Sequence, residues 1–517
     1  MHRWRAAMSP ALKTRYLPFV LAGLIVGILY SVHLIFCQRS TLQYMDGIFA
    51  YSDMRGNLLW AAGIREQGWL NAAPYHPWTN WMQLIAPYGQ WVNWWGGEQV
   101  FQQSPLYAYL LSLFVPKHLF LMRMLQALMS VGTCVFIGLL AFRLSGRTAG
   151  WIAFWLAALF SPFYAYSWPF LRDGLGWFLS AALLWTLSEL TQAEWPSSRA
   201  RQFAWLSGAL LGLGFLARET FLLLIPLTWA TLGIFAWQRR RWGALARVAV
   251  ATVLTISPLV IRNRAVNAPL LSTSNRFVET FIYGNSAHSH PYEFDYPPEA
   301  GNILTGTHAR PLQVVFATIH SHPDGFKGWM KLQCLKLLSL FDPFESPDNL
   351  SFYFVANISP VVSLALRYWM ILPLGLAGLV LSVGRRDSHY LWFWIFLPVF
   401  LISLLIGTPL SRYRQSLVVF LIPWAAYFLV FLAGLIRERK FRYAISCGFV
   451  LLAGWGLILG PLARQPRNQY ERPQEYMWSA IIFYQHGEQQ KGNAMIALIR
   501  QKFPGALSPR SRPADVK

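Results

Sequence analysis

The run LPFVLAGLIVGILYSVHLIF, Leu17–Phe36, decides the fold. It is 20 residues without a formal charge, the length an α-helix needs to cross a bilayer core of about 30 Å. Arg3, Arg5, Lys13 and Arg15 precede it and no small-residue cleavage site follows. It therefore reads as a retained span rather than a removed signal peptide. Its basic flank expects the N-terminus on the cytoplasmic side. Working outward, similar apolar runs recur at Leu121–Phe142, Ala149–Pro169, from the turn Phe170–Trp177 to near Leu190, Phe203–Ala217, Phe221–Trp237 and Ala244–Ile261. Four more follow at Ser359–Val383, Tyr390–Thr408, Ser416–Leu435 and Ala444–Leu462. The expected fold is all-α and polytopic, with about 11 spans.

Composition agrees. The 517 residues are 55% hydrophobic and 16% aromatic, and only 13% charged, which is too apolar for a soluble chain of this size. A net charge of +22 would suggest nucleic acid in a soluble protein. Here the basic residues fall in alternate short loops, at 143–147, 199–201, 239–241, 385–386 and 437–442, as expected of loops that stay in the cytoplasm. Membrane lipids are the expected partner of this charge, and nucleic acid is not. An odd number of spans puts the C-terminus outside. The four cysteines form no framework: Cys134 and Cys447 sit inside apolar runs, and Cys37 with Cys334 is a single weak pair.

Two long polar intervals face outward, at about 37–120 and 265–357. Residues 1–463 thus form one membrane domain with two large outer loops, and 464–517 a short tail outside. In the first loop, Asp53–Trp69 can form a helix, with Asp53 as N-cap or first-turn acid and Gly68 as its stop. Trp78, Trp81, Trp91, Trp94 and Trp95 suit a headgroup belt, or one of them a sugar-stacking platform. The second loop carries no span, and a structureless loop of that length is usually functional. It holds His288-Ser-His290 and His320-Ser-His322, whose two-residue spacing is poor metal-ligand geometry. In the tail, Tyr476, Phe483, Gly487, Gly492 and Pro504 sit at spacings similar to one tetratricopeptide-type helix pair. A single repeat of that kind has to pack on something else.

The first loop also carries a resemblance. Asp53 opens a helix with Trp60-Ala61 seven residues on, Gly68-Trp69-Leu70 closes it, and Phe101-Gln102-x-x-Pro105-Leu106-Tyr107 follows. This resembles the integral-membrane C-type (GT-C) glycosyltransferases, most nearly bacterial relatives of the protein O-mannosyltransferase and lipid A aminoarabinose transferase group. Further segments are similar to the family in the expected order: Gly212–Thr220, Ser257–Asn263, Leu270–Asn275 with Tyr283–Asn285, and Ser411-Arg412-Tyr413-Arg414. Ala217 and Glu219 depart from the family pattern around Arg218. The resemblance implies transfer of a hexose or pentose from a polyprenyl-phosphate sugar to a protein, lipid or envelope-glycan acceptor. It implies an inverting reaction on the outer, periplasmic face of the inner membrane.

That chemistry needs two things. The departing lipid phosphate needs fixed cations, and arginine suits bidentate phosphate contacts. The acceptor needs a carboxylate that takes its proton. Arg172, Arg218, Arg262, Arg264, Arg412 and Arg414 fall at the outer ends of spans, where the bland alternative is snorkelling into headgroups. The resemblance places donor-phosphate binding on Arg412 and Arg414 first, then Arg262, Arg218 and Arg172. Among acids, Asp53 matches the family's catalytic base. Asp46 competes with it, and Asp173 resembles a second acid, against a local role as ion pair or N-cap. Glu219 is a further candidate. An acid pair would tune a base by mutual repulsion. Tyr107, Trp60 and Gln102 are the expected substrate-binding residues. No cofactor is implied with certainty, and a divalent metal stays open. Two rivals also stay open. One is a lipid-carrier flippase or transporter, which should place charges in mid-span. The other is a polymerase or ligase using diphosphate-linked oligosaccharide.

Overall fold

The structure is a computed structural model that describes residues 10–48, 52–239, 241–383, 390–460 and 471–507. Arg3, Arg5, Arg240, Arg385, Arg386 and the start of the tail at 464–470 lie outside the described residues. Among those described there is no strand, only one isolated bridge between Phe160 and Leu366. Six helices are long and apolar enough to cross a membrane: Tyr16–Gln38, Leu119–Ala158, Phe221–Gln238, Trp242–Ala265, Ser411–Arg437 and Phe441–Leu459. Asp173–Gln192, Ser198–Ala217, Tyr368–Ser382 and Leu391–Ile406 are further helices between them. The protein is a multi-pass membrane protein, although six rather than 11 helices meet those two conditions. The 40-residue helix Leu119–Ala158 turns at Gly146, whose φ of 86° ends one helical stretch and begins the next.

Two of the expected spans are not continuous. After Ala158 the chain leaves the helix and re-forms a short one at Ser161–Ala165, with Pro162 in its first turn. Likewise Pro360–Leu364 and Tyr368–Ser382 are separate helices. The two breaks satisfy each other. Ser161 N–H donates to Leu366 O at 2.8 Å, and Leu366 N–H donates to Leu159 O at 2.7 Å. Backbone groups freed inside a buried membrane domain need such partners, because no water is there to supply them.

At one end of the bundle the ends of four helices meet on a single carboxylate. Glu189, fully buried, accepts from Tyr16 Oη at 2.9 Å and pairs with both Arg143 and Arg199. The opposite end carries both large loops. The second loop is not structureless: it holds the helices Phe277–Asn285, Ala300–Thr307, Pro311–His320, Phe326–Ser339 and Phe352–Ile358. Tryptophans from the first loop pack on it. Trp91 and Trp95 are buried with Met82, Ile282, Leu304 and Val314 in a small separate core. A headgroup belt is therefore not their role, since apolar partners from the second loop already cover them. The tail forms two helices, Pro473–Gln485 and Gln489–Lys502.

Candidate active site

The site grows from the helix Asp53–Gln67. Ser52 caps it, its hydroxyl accepting from Arg55 N–H, and Gly68 at φ 77° ends it. Met54, Asn57, Trp60, Ala61 and Ile64 are its buried residues. Asp53 is therefore the first-turn acid rather than the cap. Its carboxylate faces a pocket between the two outer loops, lined in part by Trp60, Tyr75, Gln102, Arg276, Glu279 and Tyr296.

Three distant segments converge on Asp53. Arg412 pairs with Oδ2 at 2.5 Å, and Arg276 with Oδ1 at 3.4 Å. Asn349 grips both backbone and side chain: its Oδ1 accepts from Asp53 N–H at 2.7 Å, and its Nδ2 donates to Oδ2 at 3.2 Å. Gln103 Nε2 adds a donor at 3.4 Å. Burial alone would push the Asp53 carboxyl up. Arg412 and Arg276 outweigh it and hold the group well below the usual carboxylate range.

Arg412 is the hub of this charge network. Its guanidinium also pairs with Asp348 through Nε and reaches Asp173 at 3.5 Å through Nη1. Asp173, the first residue of the helix Asp173–Gln192, pairs in addition with Arg218 rather than with its neighbour Arg172. Arg172 instead pairs with Glu219 at 2.8 Å. Across the pocket Glu279 accepts from Trp95 Nε1 at 2.8 Å. Burial pushes the Glu279 carboxyl up, against the pull of Trp95 and Arg276. Arg276 thus stands between two carboxyls whose surroundings drive them in opposite directions, a common arrangement where one group takes a proton and another holds one.

The remaining sequence candidates lie elsewhere. Asp46 is 5% exposed and paired with Arg123, whose guanidinium stacks over Trp168 at 3.8 Å. It does not line the pocket, because its carboxylate is committed to that buried pair. Arg414 is fully buried: it donates to Asp342 O and Phe344 O, both at 2.6 Å, and pairs with Glu345 at 3.2 Å. Arg262 donates to Leu70 O, Gln99 O and Asn71 O and stacks over Phe101 at 3.9 Å. Both arginines clamp backbone carbonyls, and neither lines the pocket beside Asp53. Tyr107 is buried on Gln126, away from the pocket, while Trp60 and Gln102 line it.

Arg276, Glu279, Asp348 and Asn349 were not among the sequence candidates. Arg276 directly follows Leu270–Asn275, a segment the resemblance covers, and that adjacency was the one local signal for it. Asp348 and Asn349 lie in Ser346-Pro347-Asp348-Asn349, a turn-like run with nothing to mark it as functional. Among the described residues no group of three or more His, Cys, Asp or Glu side chains could hold a metal ion. Asp53, Asp173 and Asp348 share the Arg412 guanidinium. His288 pairs with Glu299, and His320 and His322 bond to carbonyls.

No family model matches the sequence, and no curated protein matches it. Solved structures of the Archaeoglobus fulgidus oligosaccharyltransferase are similar to the chain. One, tethered with an acceptor peptide, is 13% identical with a TM-score of 0.45, covering 90% of this chain and 57% of that one. A second, in complex with an inhibitory peptide and a dolichol-phosphate, is 14% identical with a TM-score of 0.43, covering 90% and 58%. A third, with zinc and sulfate, is 15% identical with a TM-score of 0.35, covering 73% and 46%. The chain spans less than two thirds of the length of these proteins.

Proposed function

We propose that the protein is a C-type membrane glycosyltransferase that moves a sugar from a polyprenyl-phosphate donor to a hydroxyl or amine acceptor, with Asp53 as general base. The observation that carries this reading is the convergence of Arg412 and Arg276 on Asp53, from three segments far apart in sequence. The sequence resemblance names Asp53 as the base and Arg412, with Arg414, for the donor phosphate. The transporter reading expects charges in mid-span. The buried ion pairs of the membrane domain instead gather at helix ends, around Glu189 on one side and Asp53 on the other.

In this reaction the acceptor attacks the anomeric carbon and the bond to the phosphate oxygen breaks. Its electron pair leaves on polyprenyl phosphate, and the acceptor proton passes to Asp53. Attack opposite the leaving group inverts the anomeric centre. Arg276 lines the pocket, Arg172 acts electrostatically on Asp53, and Arg218 pairs with Asp173; their side chains keep 28%, 15% and 18% exposure. They would take the phosphate, while Arg412, only 5% exposed, sets the charge on Asp53. A phosphate that draws Arg276 away from Asp53 would raise the basicity of the carboxylate when the donor arrives, matching it better to its task. The acceptor and the sugar would lie in the pocket between the outer loops, on the periplasmic face.

The test is turnover of a polyprenyl-phosphate sugar by the purified chain in lipid nanodiscs. Asp53→Asn should lose ~10²–10⁴-fold in turnover with donor binding kept, as for a positioned general base. Near-normal turnover in that variant rejects Asp53 as the base, and no transfer by the unaltered protein from any such donor rejects the class. Asp46→Asn should act only through folding, by leaving Arg123 unpaired.

A further inference from the structure

Asp348 pairs with Arg412 and Asn349 bonds to Asp53, yet both lie on an irregular stretch between the helices Phe326–Ser339 and Phe352–Ile358. Such a stretch has no hydrogen-bond ladder of its own, so outside contacts fix where its side chains stand. At its beginning the contacts come from the membrane domain. Arg414 holds the carbonyls of Asp342 and Phe344, and Ser346 N–H donates to Ser411 Oγ at 2.5 Å. At its end the contact comes from the tail. Ser351 N–H, two residues beyond Asn349, donates to Glu475 Oε1 at 2.9 Å.

Glu475 is fully buried. Arg472 pairs with the same oxygen at 2.7 Å. Its helix is moored by Thr41 to Ser479 at 2.8 Å, by Asn357 to Tyr476 at 2.9 Å, and by the Phe354 and Tyr476 rings at 5.2 Å. A carboxylate buried to this degree on a peripheral hairpin is costly, and here both partners fall on Oε1 while Oε2 has no hydrogen-bond partner among the described residues. The bond it makes ends beside the two residues that grip the charged centre.

We propose that Glu475 is a positioning residue: through Ser351 the C-terminal hairpin sets Asn349 and Asp348 against Asp53 and Arg412. This rests on reading Asp53 and Arg412 as the reacting site. The structure supplies a reporter that does not need activity. Asp53 is the first residue of its helix, where a backbone N–H has no intrahelical acceptor, and it donates to Asn349 Oδ1. Exchange of the Asp53 amide with solvent therefore follows the position of Asn349.

The experiment uses the full chain in nanodiscs, with residue-resolved hydrogen exchange by mass spectrometry and turnover of a polyprenyl-phosphate sugar. Glu475→Ala should speed exchange at the Asp53 amide by about tenfold, the order expected for one lost hydrogen bond, and Asn349→Ala should do the same. Exchange in Val418–Arg437 should not change. Turnover should fall at least as far, and Glu475→Gln, which keeps an acceptor oxygen for Ser351, should restore both. Unchanged Asp53 exchange in folded Glu475→Ala overturns the proposal. Faster exchange with unchanged turnover overturns the positioning role. If Glu475→Ala does not fold, Arg472→Gln, which loosens the same carboxylate from outside, should move both readouts in the same direction, and its failure to do so is equally decisive. An unaltered protein that transfers no sugar rejects the glycosyl-transfer reading, and the exchange measurement then decides the latch by itself.

Discussion

Arg412→Gln removes the one positive charge that Asp53, Asp173 and Asp348 share. The charge centres of such a contact lie about 4 Å apart, worth about 4 kcal/mol at an effective dielectric near 20. Spread over the carboxyl equilibrium, that is about 3 pH units. Asp53 is 20% exposed and Arg412 5% exposed, so solvent screening leaves about two thirds of this, a shift of about 2 units. Two further effects then oppose each other. Arg276 remains at 3.4 Å and still favours the carboxylate. Asp348, freed of its counter-charge, repels it, while Asp173 keeps Arg218. The sign is upward: the Asp53 carboxyl protonates at a higher pH than in the unaltered protein, so activity is lost as pH falls through that raised value. The assay is kcat/KM between about pH 4.5 and 8. The unaltered protein should show no acid limb in that window. Arg412→Gln should begin its acid limb at a higher pH than the unaltered protein, and Arg412→Lys, which keeps the charge, should not. If Arg412→Gln is too slow to follow, carbodiimide labelling of Asp53 at mildly acidic pH reports the protonated carboxyl directly. A flat acid side together with an unlabelled Asp53 would refute the reasoning.

Arg414→Gln should lower thermal stability and leave donor KM unchanged in whatever folds, because it strands Glu345 and two carbonyls; removing one partner of a buried pair costs about 3–5 kcal/mol. Arg172→Gln with Arg218→Gln should do the reverse, raising donor KM with little loss of Tm, and equal KM in the double variant would place the phosphate elsewhere. Reporter fusions after Arg442 should read cytoplasmic and those after Leu507 periplasmic. The opposite result at either position would put Asp53 on the wrong face.

The helices were legible where a physical constraint is local. A run such as Leu17–Phe36 has to be helical in hydrocarbon whatever its neighbours do, and Gly68 stops its helix by its own conformational freedom. The breaks at Phe160 and Leu366 were not legible. Each is stable only because the other supplies its hydrogen bonds, across more than 200 residues of sequence. The second outer loop looked structureless because its helices are short and bury themselves against partners from the first loop, such as Trp91 and Trp95, rather than along one sustained stripe. Asp53 was readable from the helix it opens. Asn349, bonded to it from 296 positions away, had no signal near either residue.

Arg412 and Arg414 show how far local pattern goes at the site itself. In sequence they read as a pair for one phosphate. On the short helix Ser411–Arg414 two positions differ by about 200° around the axis, so the side chains leave on nearly opposite faces and cannot serve one ligand. Their partners follow that geometry: Arg414 takes the carbonyls of Asp342 and Phe344, while Arg412 takes Asp348, Asp53 and Asp173. Yet both arginines act on one stretch of chain, four residues apart at Phe344 and Asp348. Arg414 fixes where that stretch begins, Arg412 holds its acid, and Glu475 fixes where it ends. The charge on Asp53 is therefore set by contacts that span the membrane domain, the second outer loop and the tail. Any one of them can loosen it without touching the pocket.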